Sequence, residues 1–429
     1  MPQKHKLLWL RLDNAAKIYP AARNQKWSNT FRLSATLCED VDGDVLQSAL
    51  SVTVKRFPAI AARLRRGLFW YYLQQLPRVP RIREESSYPL TRMSRAEVRQ
   101  CAFRVILWKN RIAVEFFHSL TDGNGALVFL KSLVAEYLRQ KYGIQIPAQQ
   151  GVLDCREAPD PAELEDSFQK YAGTVSASRR ENDAWHMYGT PEPDGFQHLT
   201  CLQVPVSEAM EKAHKYGVTL TAFLSAVMMQ ALQEMQAEQE PELVHRKPIR
   251  VQIPVDLRRI FPSRSLRNFA LYTTPEIDPR LGQYSFPEIC DAVRHRMGLD
   301  VNPKTMSAKI AANVGSERIL AVKLMPLFLK NIVMKAVFLA VGERKSCLSL
   351  SNLGAVRLPE AMMPYVQRLD FILGVQASQP HNCGVLSYNG TLYINFIRNI
   401  RESGLEYHFF RALQAHGLSV TAQSNGPAE

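Results

Sequence analysis

The chain of 429 residues lacks most of the features that assign a protein to a class at sight. Its seven cysteines form no C-x-x-C pair, and no His/Cys cluster has zinc-ligand spacing. That argues against a structural zinc site, says nothing for a disulfide-stapled framework, and suits reduced thiols in a cytoplasmic protein. No stretch of about 20 uncharged apolar residues is present, which excludes a membrane-spanning helix. The most apolar region, 319–341, is interrupted by Lys323, Pro326, Lys330 and Lys335. It reads as one or two buried or amphipathic helices, with weak contact to a membrane surface as a secondary reading. The first residues hold only a short apolar patch from Leu7 to Leu10, without the h-region and cleavage site of a secretory leader. No G-x-x-x-x-G-K-[ST], G-x-G-x-x-G or G-x-S-x-G occurs, so nucleotide-cradling loops and the nucleophile elbow are excluded. Repeats and low-complexity tracts are absent as well.

The composition that is present is ordinary for a globular protein, with 46% apolar and 22% charged residues. It argues against disorder, collagen and coiled coil. The length admits two large domains or three average ones. Lys and Arg number 53 against 40 Asp and Glu, a net charge of +13. Such a field favours an anionic partner (nucleic acid, anionic lipid or a phosphate-bearing cofactor) or serves solubility with one basic face. No nucleic-acid recognition module or concentrated basic helix accompanies it, so nucleic acid is not expected.

Periodicity alternates between strands and helices. Residues 29–37 alternate as a half-buried strand, and Asp44 is read as opening a helix. Residues 64–73 read as a strand pair broken near Gly67. Residues 102–108 and 111–117 alternate around a Lys109-Asn110 turn, and a second hairpin is predicted around Asn389-Gly390. Helices are expected over 125–142, from Ser207 to Tyr216, from Thr219 to about Glu238, over 286–299 and 304–318, and over 401–416. The strand 346–350 is expected to end at Ser351-Asn352-Leu353-Gly354. The Pro-rich stretch between Gln149 and Pro193, with Ser176, Ser178, Arg179, Arg180 and Glu181, is the best linker candidate. This divides the chain into an N-terminal lobe 1–175, a crossover 176–196 and a C-terminal lobe 197–429.

The chemistry concentrates in Phe117-His118-Ser119-Leu120-Thr121-Asp122-Gly123-Asn124-Gly125, where a strand ends and a helix begins. A histidine at a strand end is held by the sheet yet can face a crevice, and it accepts a proton near neutral pH. Asp122 can turn back under the loop, and the glycines allow close approach to a ligand. A second reading of the same residues is a satisfied loop histidine followed by a helix-capping aspartate. One His and one Asp are too few for zinc, and Ala126 and Leu133 break the calcium-loop pattern.

His118-Ser119-Leu120-Thr121-Asp122-Gly123 resembles the H-x-x-x-D-G signature of the chloramphenicol-acetyltransferase-like superfamily, which includes alcohol acetyltransferases, plant acyltransferases, wax ester synthases and condensation domains. Ile253 to Arg258 with Arg267-Asn268-Phe269 is similar to its "P-V-(D/N)-x-R … G-N" segment, and Ser351-Asn352-Leu353-Gly354 to its "S-N-x-G" segment. Arg11-Leu12-Asp13-Asn14-Ala15 resembles the start of the alcohol-acetyltransferase-like members. Phe117 replaces the first of two adjacent histidines common in relatives. The D-F-G-W-G motif of the plant branch is missing, as is the proline-glycine that follows Leu353-Gly354 in wax ester synthases.

The resemblance implies an α+β fold of two lobes, each a mixed sheet packed with helices, with a tunnel between them. It implies a CoA-dependent O-acyltransferase of the alcohol-acetyltransferase type, with no cofactor bound permanently and acyl-CoA, for instance acetyl-CoA, as co-substrate. His118 would be the general base for a small-molecule acceptor, an alcohol, without an acyl-enzyme or a metal. Asp122 and Gly123 would shape the loop, with Arg258 as the partner of Asp122. Ser351 and Asn352 are nominated for substrate binding, and a hydrogen-bonded turn is their plainer role. The alternatives are a condensation-like enzyme using carrier-protein thioesters or an amine acceptor, and a non-catalytic binding protein of the same fold. A monomer is expected. Cys383 is read as structural, His381 and His408 as ordinary surface or loop residues, and Phe69-Trp70-Tyr71-Tyr72 as either tunnel lining or core.

Overall fold

A computed structural model describes residues 7–22, 29–85, 88–175, 182–318, 320–341, 343–376 and 379–426. The α+β expectation holds. One lobe is built on a mixed five-stranded sheet whose strands run in the order Val366–Ile372, Thr30–Leu37, Arg111–Phe117, Phe103–Trp108 and Arg83–Glu84. Helices Gly43–Arg56 and Gly123–Tyr142 pack with it around Phe31, Leu33, Phe116, Phe129 and Leu133. A small antiparallel sheet of Trp9–Arg11, Tyr71–Gln75 and Ala62–Arg66 flanks this lobe.

The other lobe holds a mixed eight-stranded sheet. Its centre runs Ile249–Asp256, Leu348–Ala355, His381–Tyr388, Thr391–Arg398 and His198–Pro205. The first two pairings are parallel and the next two antiparallel. Helices Leu220–Gln239, Phe286–Asp300 and Gly404–Ala415 complete a second core around Phe223, Met228, Leu350 and Phe409.

The lobes are not cut cleanly from the sequence. Strand Val366–Ile372 comes from the second half of the chain yet pairs antiparallel with Thr30–Leu37 of the first sheet. It also passes so close to His381–Tyr388 that a Cβ on Gly384 would lie 2.3 Å from the Phe371 carbonyl oxygen. Of the predicted crossover, Ser176, Ser178, Arg179, Arg180 and Glu181 lie outside the described residues. Beyond them Ala184, Trp185 and Met187 are buried in the second core.

Several local readings need correction. The N-cap of the helix Gly43–Arg56 is Asp42, whose carboxylate accepts from the Asp44 and Val45 amides. Helix Val206–Lys215 starts at Pro205 without a side-chain cap, so Ser207 lies inside it. The Ser351-Asn352-Leu353-Gly354 segment does not end its strand. It lies within Leu348–Ala355, and a register shift between Asn352 and Ala355 gives it the irregularity that reads as a terminus. His381 is no surface residue: it is fully buried, with Nε2 3.2 Å from Glu406. Burial would raise the Glu406 carboxyl, but His381 and Arg398 hold it down to about 2. The apolar region forms two helices, Leu320–Leu324 and Leu327–Val341, and Ile319 lies outside the described residues.

The close approach at Gly384 generates a test. Gly384→Ala would force a methyl against backbone that belongs to the other sheet. It is expected to destabilise the protein by roughly 1–3 kcal/mol or to prevent folding. An unchanged urea midpoint would show that the sheets do not meet this way.

Candidate active site

Strand Arg111–Phe117 delivers the loop, and hydrogen bonding holds it before any ligand is considered. The His118 amide donates to the Asn29 carbonyl at 2.8 Å. Ser119 Oγ donates to the Ala16 carbonyl at 2.9 Å, and Thr121 Oγ1 to the Leu266 carbonyl at 2.6 Å. The loop is therefore tied to the N-terminal segment on one side and to the other lobe on the opposite side.

Asp122 caps helix Gly123–Tyr142, with Oδ1 accepting from the Gly125 amide at 3.1 Å. Its Oδ2 accepts from Arg258 Nη1 at 2.8 Å and from the Phe269 amide at 2.9 Å. Arg258 in turn donates to Asp256 and to the carbonyls of Ser265 and Arg267. Both ionised groups are buried, with side chains 9% and 8% exposed. A pair this buried survives only because the remaining polar atoms also find partners.

The two glycines serve packing against protein, where a close approach to ligand was the expectation. A Cβ on Gly125 would lie 2.2 Å from the Leu266 carbonyl oxygen and 2.3 Å from Thr121 Oγ1. One on Gly123 would meet Leu353 at 2.8 Å. The loop and the facing lobe can be this close only where side chains are missing.

His118 is stacked on Tyr19, ring centroids 4.4 Å apart, and leans on Phe31 at 4.9 Å. Its Nδ1 lies 3.1 Å from Asn268 Oδ1. Asn268 Nδ2 donates to Asp13 Oδ2 at 3.3 Å. Asp13 is fully buried, accepts from the Ala16 amide at 2.8 Å and lies 3.7 Å from Arg267. Burial pushes its carboxyl above the ordinary value, opposed by Arg267 and the hydrogen bonds. A carboxylate oxygen only accepts, so the Asn268 amide turns its NH2 toward Asp13 and its oxygen toward His118. That oxygen also only accepts, so His118 carries its proton on Nδ1 and leaves the Nε2 lone pair free. Burial lowers the pKa of the ring below 6.5, against the raising effects of its own backbone carbonyl, Asp122, Asn268 and Asp13. A neutral imidazole with a free Nε2 is a proton acceptor.

Asp13, Tyr19 and Asn268 were missed as site residues, although Asp13 and Asn268 sit inside segments that the sequence singles out. Each lacks a local pattern that says what it faces. Ser351 is half-buried. Asn352 Nδ2 donates to Thr221 Oγ1 at 3.0 Å, and its Oδ1 accepts from the Gly354 amide at 2.8 Å, the hydrogen bonding of a turn. Asn352 also lines an open cleft of about 610 Å³ with Met210, His214, Thr219 and Thr221. Cys383 is buried, and burial raises its thiol well above the ordinary value. His408 lies between Glu234 and Glu238, 3.2 Å from each. The Phe69 to Tyr72 run is not deep core: it is partly exposed, with Tyr71 and Tyr72 on the small sheet, Tyr71 lining a small cavity, and Lys330 over the Trp70 ring.

No family model matches the chain, and no curated relative does. Solved structures match over nearly the whole length. TRI101 from F. graminearum, crystallised with coenzyme A and deoxynivalenol, gives a TM-score of 0.64 at 11% identity, covering 95% of this chain and 97% of that one. The first condensation domain of the calcium-dependent antibiotic synthetase gives 0.63 at 12% identity over 95% of each chain. TRI3 trichothecene 15-O-acetyltransferase from Fusarium sporotrichioides gives 0.60 at 11% identity, covering 97% and 96%. The chain thus has the two-lobed, chloramphenicol-acetyltransferase-like fold of acyltransferases and condensation domains, and at these identities the likeness is one of fold.

The orientation of His118 is directly measurable. Ring ¹⁵N shifts should report the Nδ1–H form as the dominant neutral tautomer. Asn268→Ala and Asp13→Asn should each let the Nε2–H form appear while the thermal transition stays cooperative. A ring that is already Nε2–H in the unaltered protein would refute the assignment.

Proposed function

We propose that this protein transfers an acyl group from acyl-CoA to the hydroxyl of a small acceptor, with His118 as general base. The observation that carries the reading is the half-buried His118, with Nδ1 3.1 Å from Asn268 Oδ1 and its pKa lowered by desolvation, in a loop tied to both lobes. Nε2 takes the proton as the acceptor oxygen attacks the thioester carbonyl. The tetrahedral species then collapses, the carbon–sulfur bond breaks, and the imidazolium returns the proton to the departing thiolate. The acyl group passes directly to the acceptor, and no enzyme nucleophile takes part.

Asp122, Gly123 and Arg258 position the loop in this proposal and do not touch substrate. The donor would approach through the cleft beside Asn352, whose 610 Å³ falls in the usual range for small-molecule sites. Ser351, on the same strand, is the proposed hydrogen-bond donor to the thioester. In this proposal the lobes are 1–175 and 197–429, with residues 366–372 lent to the first sheet. A carrier-bound thioester is the second reading, because a condensation domain matches the fold as well as TRI101 does.

Thiol release from acetyl-CoA and from a carrier-bound acetyl group, each with alcohols and amines, separates the two donors. His118→Ala should lower kcat by about 10²- to 10⁴-fold with little change in KM. Equal thiol release by the variant would remove His118 from the chemistry. The pH dependence follows from the lowered pKa. The neutral base form is complete well above that pKa and is lost as pH falls through it. The rate should therefore rise with pH and level off with an inflection below 6.5. An inflection above the ordinary histidine value would contradict a base held neutral by burial.

A further inference from the structure

The loop between strands Ala62–Arg66 and Tyr71–Gln75 joins two features that the chemistry above does not use. The first is a cavity of about 100 Å³ lined by Arg65, Arg66, Arg95 and Arg99, with Pro20 and Phe117 also lining it. At roughly 30 Å³ per water molecule it has room for a phosphate-sized group. Among the described residues none of these four arginines has an acidic partner; Glu97, on the same short helix as Arg95 and Arg99, is taken by Arg83 and Arg104. Clustered guanidinium groups repel one another until an anion sits among them, and their planar forks suit phosphate.

The second feature is an uncovered apolar face. Helix Leu327–Val341 turns Phe328, Ile332, Val333 and Val337 to solvent at 57%, 65%, 48% and 50% exposure. Leu68, at 74%, continues the patch. Large apolar side chains exposed side by side on one helix face mark a contact surface. Lys323 and Lys335 are the exposed charges beside it, and the sequence from Arg318 to Gly342 holds four basic residues and no acidic one.

The two features are contiguous. Tyr71 lines the cavity, and its hydroxyl accepts from Asn331 of the apolar helix at 3.1 Å. The Leu68 carbonyl accepts from the Leu327 amide at 3.0 Å. The cavity adjoins the candidate active site along the chain, since its lining residues Phe117 and Pro20 are next to His118 and Tyr19, whose rings stack.

We propose that this face docks an anionic phospholipid surface, with a head-group phosphate in the arginine cavity and acyl chains against helix Leu327–Val341. A soluble phosphate would leave the apolar helix unexplained. A second copy of this chain would set one basic face against another, with no acidic residue between Arg318 and Gly342 to pair with it. Among the described residues no helix is long and apolar enough to cross a membrane, so the contact is interfacial. Docking extends the acyl-transfer reading by placing a lipid-dissolved acceptor beside His118, but the binding itself stands without that reading.

Sedimentation with vesicles tests it without any turnover. Vesicles of phosphatidylcholine and phosphatidylglycerol at two to one should bind the protein at least about tenfold better than phosphatidylcholine alone, and salt should weaken binding. Arg95→Gln with Arg99→Gln, and separately Phe328→Ser with Ile332→Ser, should each lose that preference or that binding by about tenfold. The second pair should keep the thermal transition and any thiol release with a water-soluble acceptor. Three outcomes overturn the proposal. They are no binding to anionic vesicles, pyrophosphate binding lost in the arginine variant while vesicle binding persists, and a dimer in light scattering that Phe328→Ser with Ile332→Ser dissolves without any vesicle binding.

Discussion

The buried pair between Asp122 and Arg258 is the constraint on which the site depends. Its partners come from residues 136 positions apart, one in each lobe. The same carboxylate caps the helix after the His118 loop and accepts from the Phe269 amide. Arg258 gathers the Ser265 and Arg267 carbonyls around itself. A single ion pair therefore sets the loop that carries His118 and the segment that carries Asn268. Removing one member of such a pair leaves a buried charge uncompensated, at a typical cost of about 3–5 kcal/mol. The His118–Asn268 contact of 3.1 Å joins the two segments that the pair anchors.

The site is assembled from three stretches: Asp13 to Tyr19, His118 to Gly125, and Arg258 to Phe269. Each contributes something the others cannot. The first supplies the acceptor for the Asn268 amide and the ring beneath the imidazole. The second supplies the base and, through glycines, room for the lobes to meet. The third supplies the cation and the amide. Burial works in one direction on His118 and Asp13 alike, against the charged form, and the neighbouring charges limit the effect.

Much of this architecture was legible because short-range patterns carry it. The hairpin around Lys109-Asn110 and the one around Asn389-Gly390 follow from alternation and turn chemistry, and both form as read. The long helix after Gly123 follows from its 3.6-residue spacing. What escaped depends on distance along the chain. Nothing near His381 announces that Glu406 will lie beside it in a dry interior. Nothing near Asp13 announces Asn268, 255 residues on. Ser351 to Gly354 read as a strand end because an irregular register looks, in one dimension, like a stop. The glycines of the motif read as room for a ligand because a sequence does not show that protein already occupies that space.

The borrowed strand Val366–Ile372 has a bearing on how the chain is made. The first sheet cannot close its Thr30–Leu37 edge until residue 372 is available, so it waits for most of the second lobe to be synthesised. An N-terminal lobe emerging first would present that edge unpaired, a surface prone to wrong partners. Long-range pairing of this kind slows folding, because loop closure comes before the contacts that reward it. The borrowed strand couples the folding of the two lobes, and the nascent chain keeps an open edge until residues 366–372 arrive.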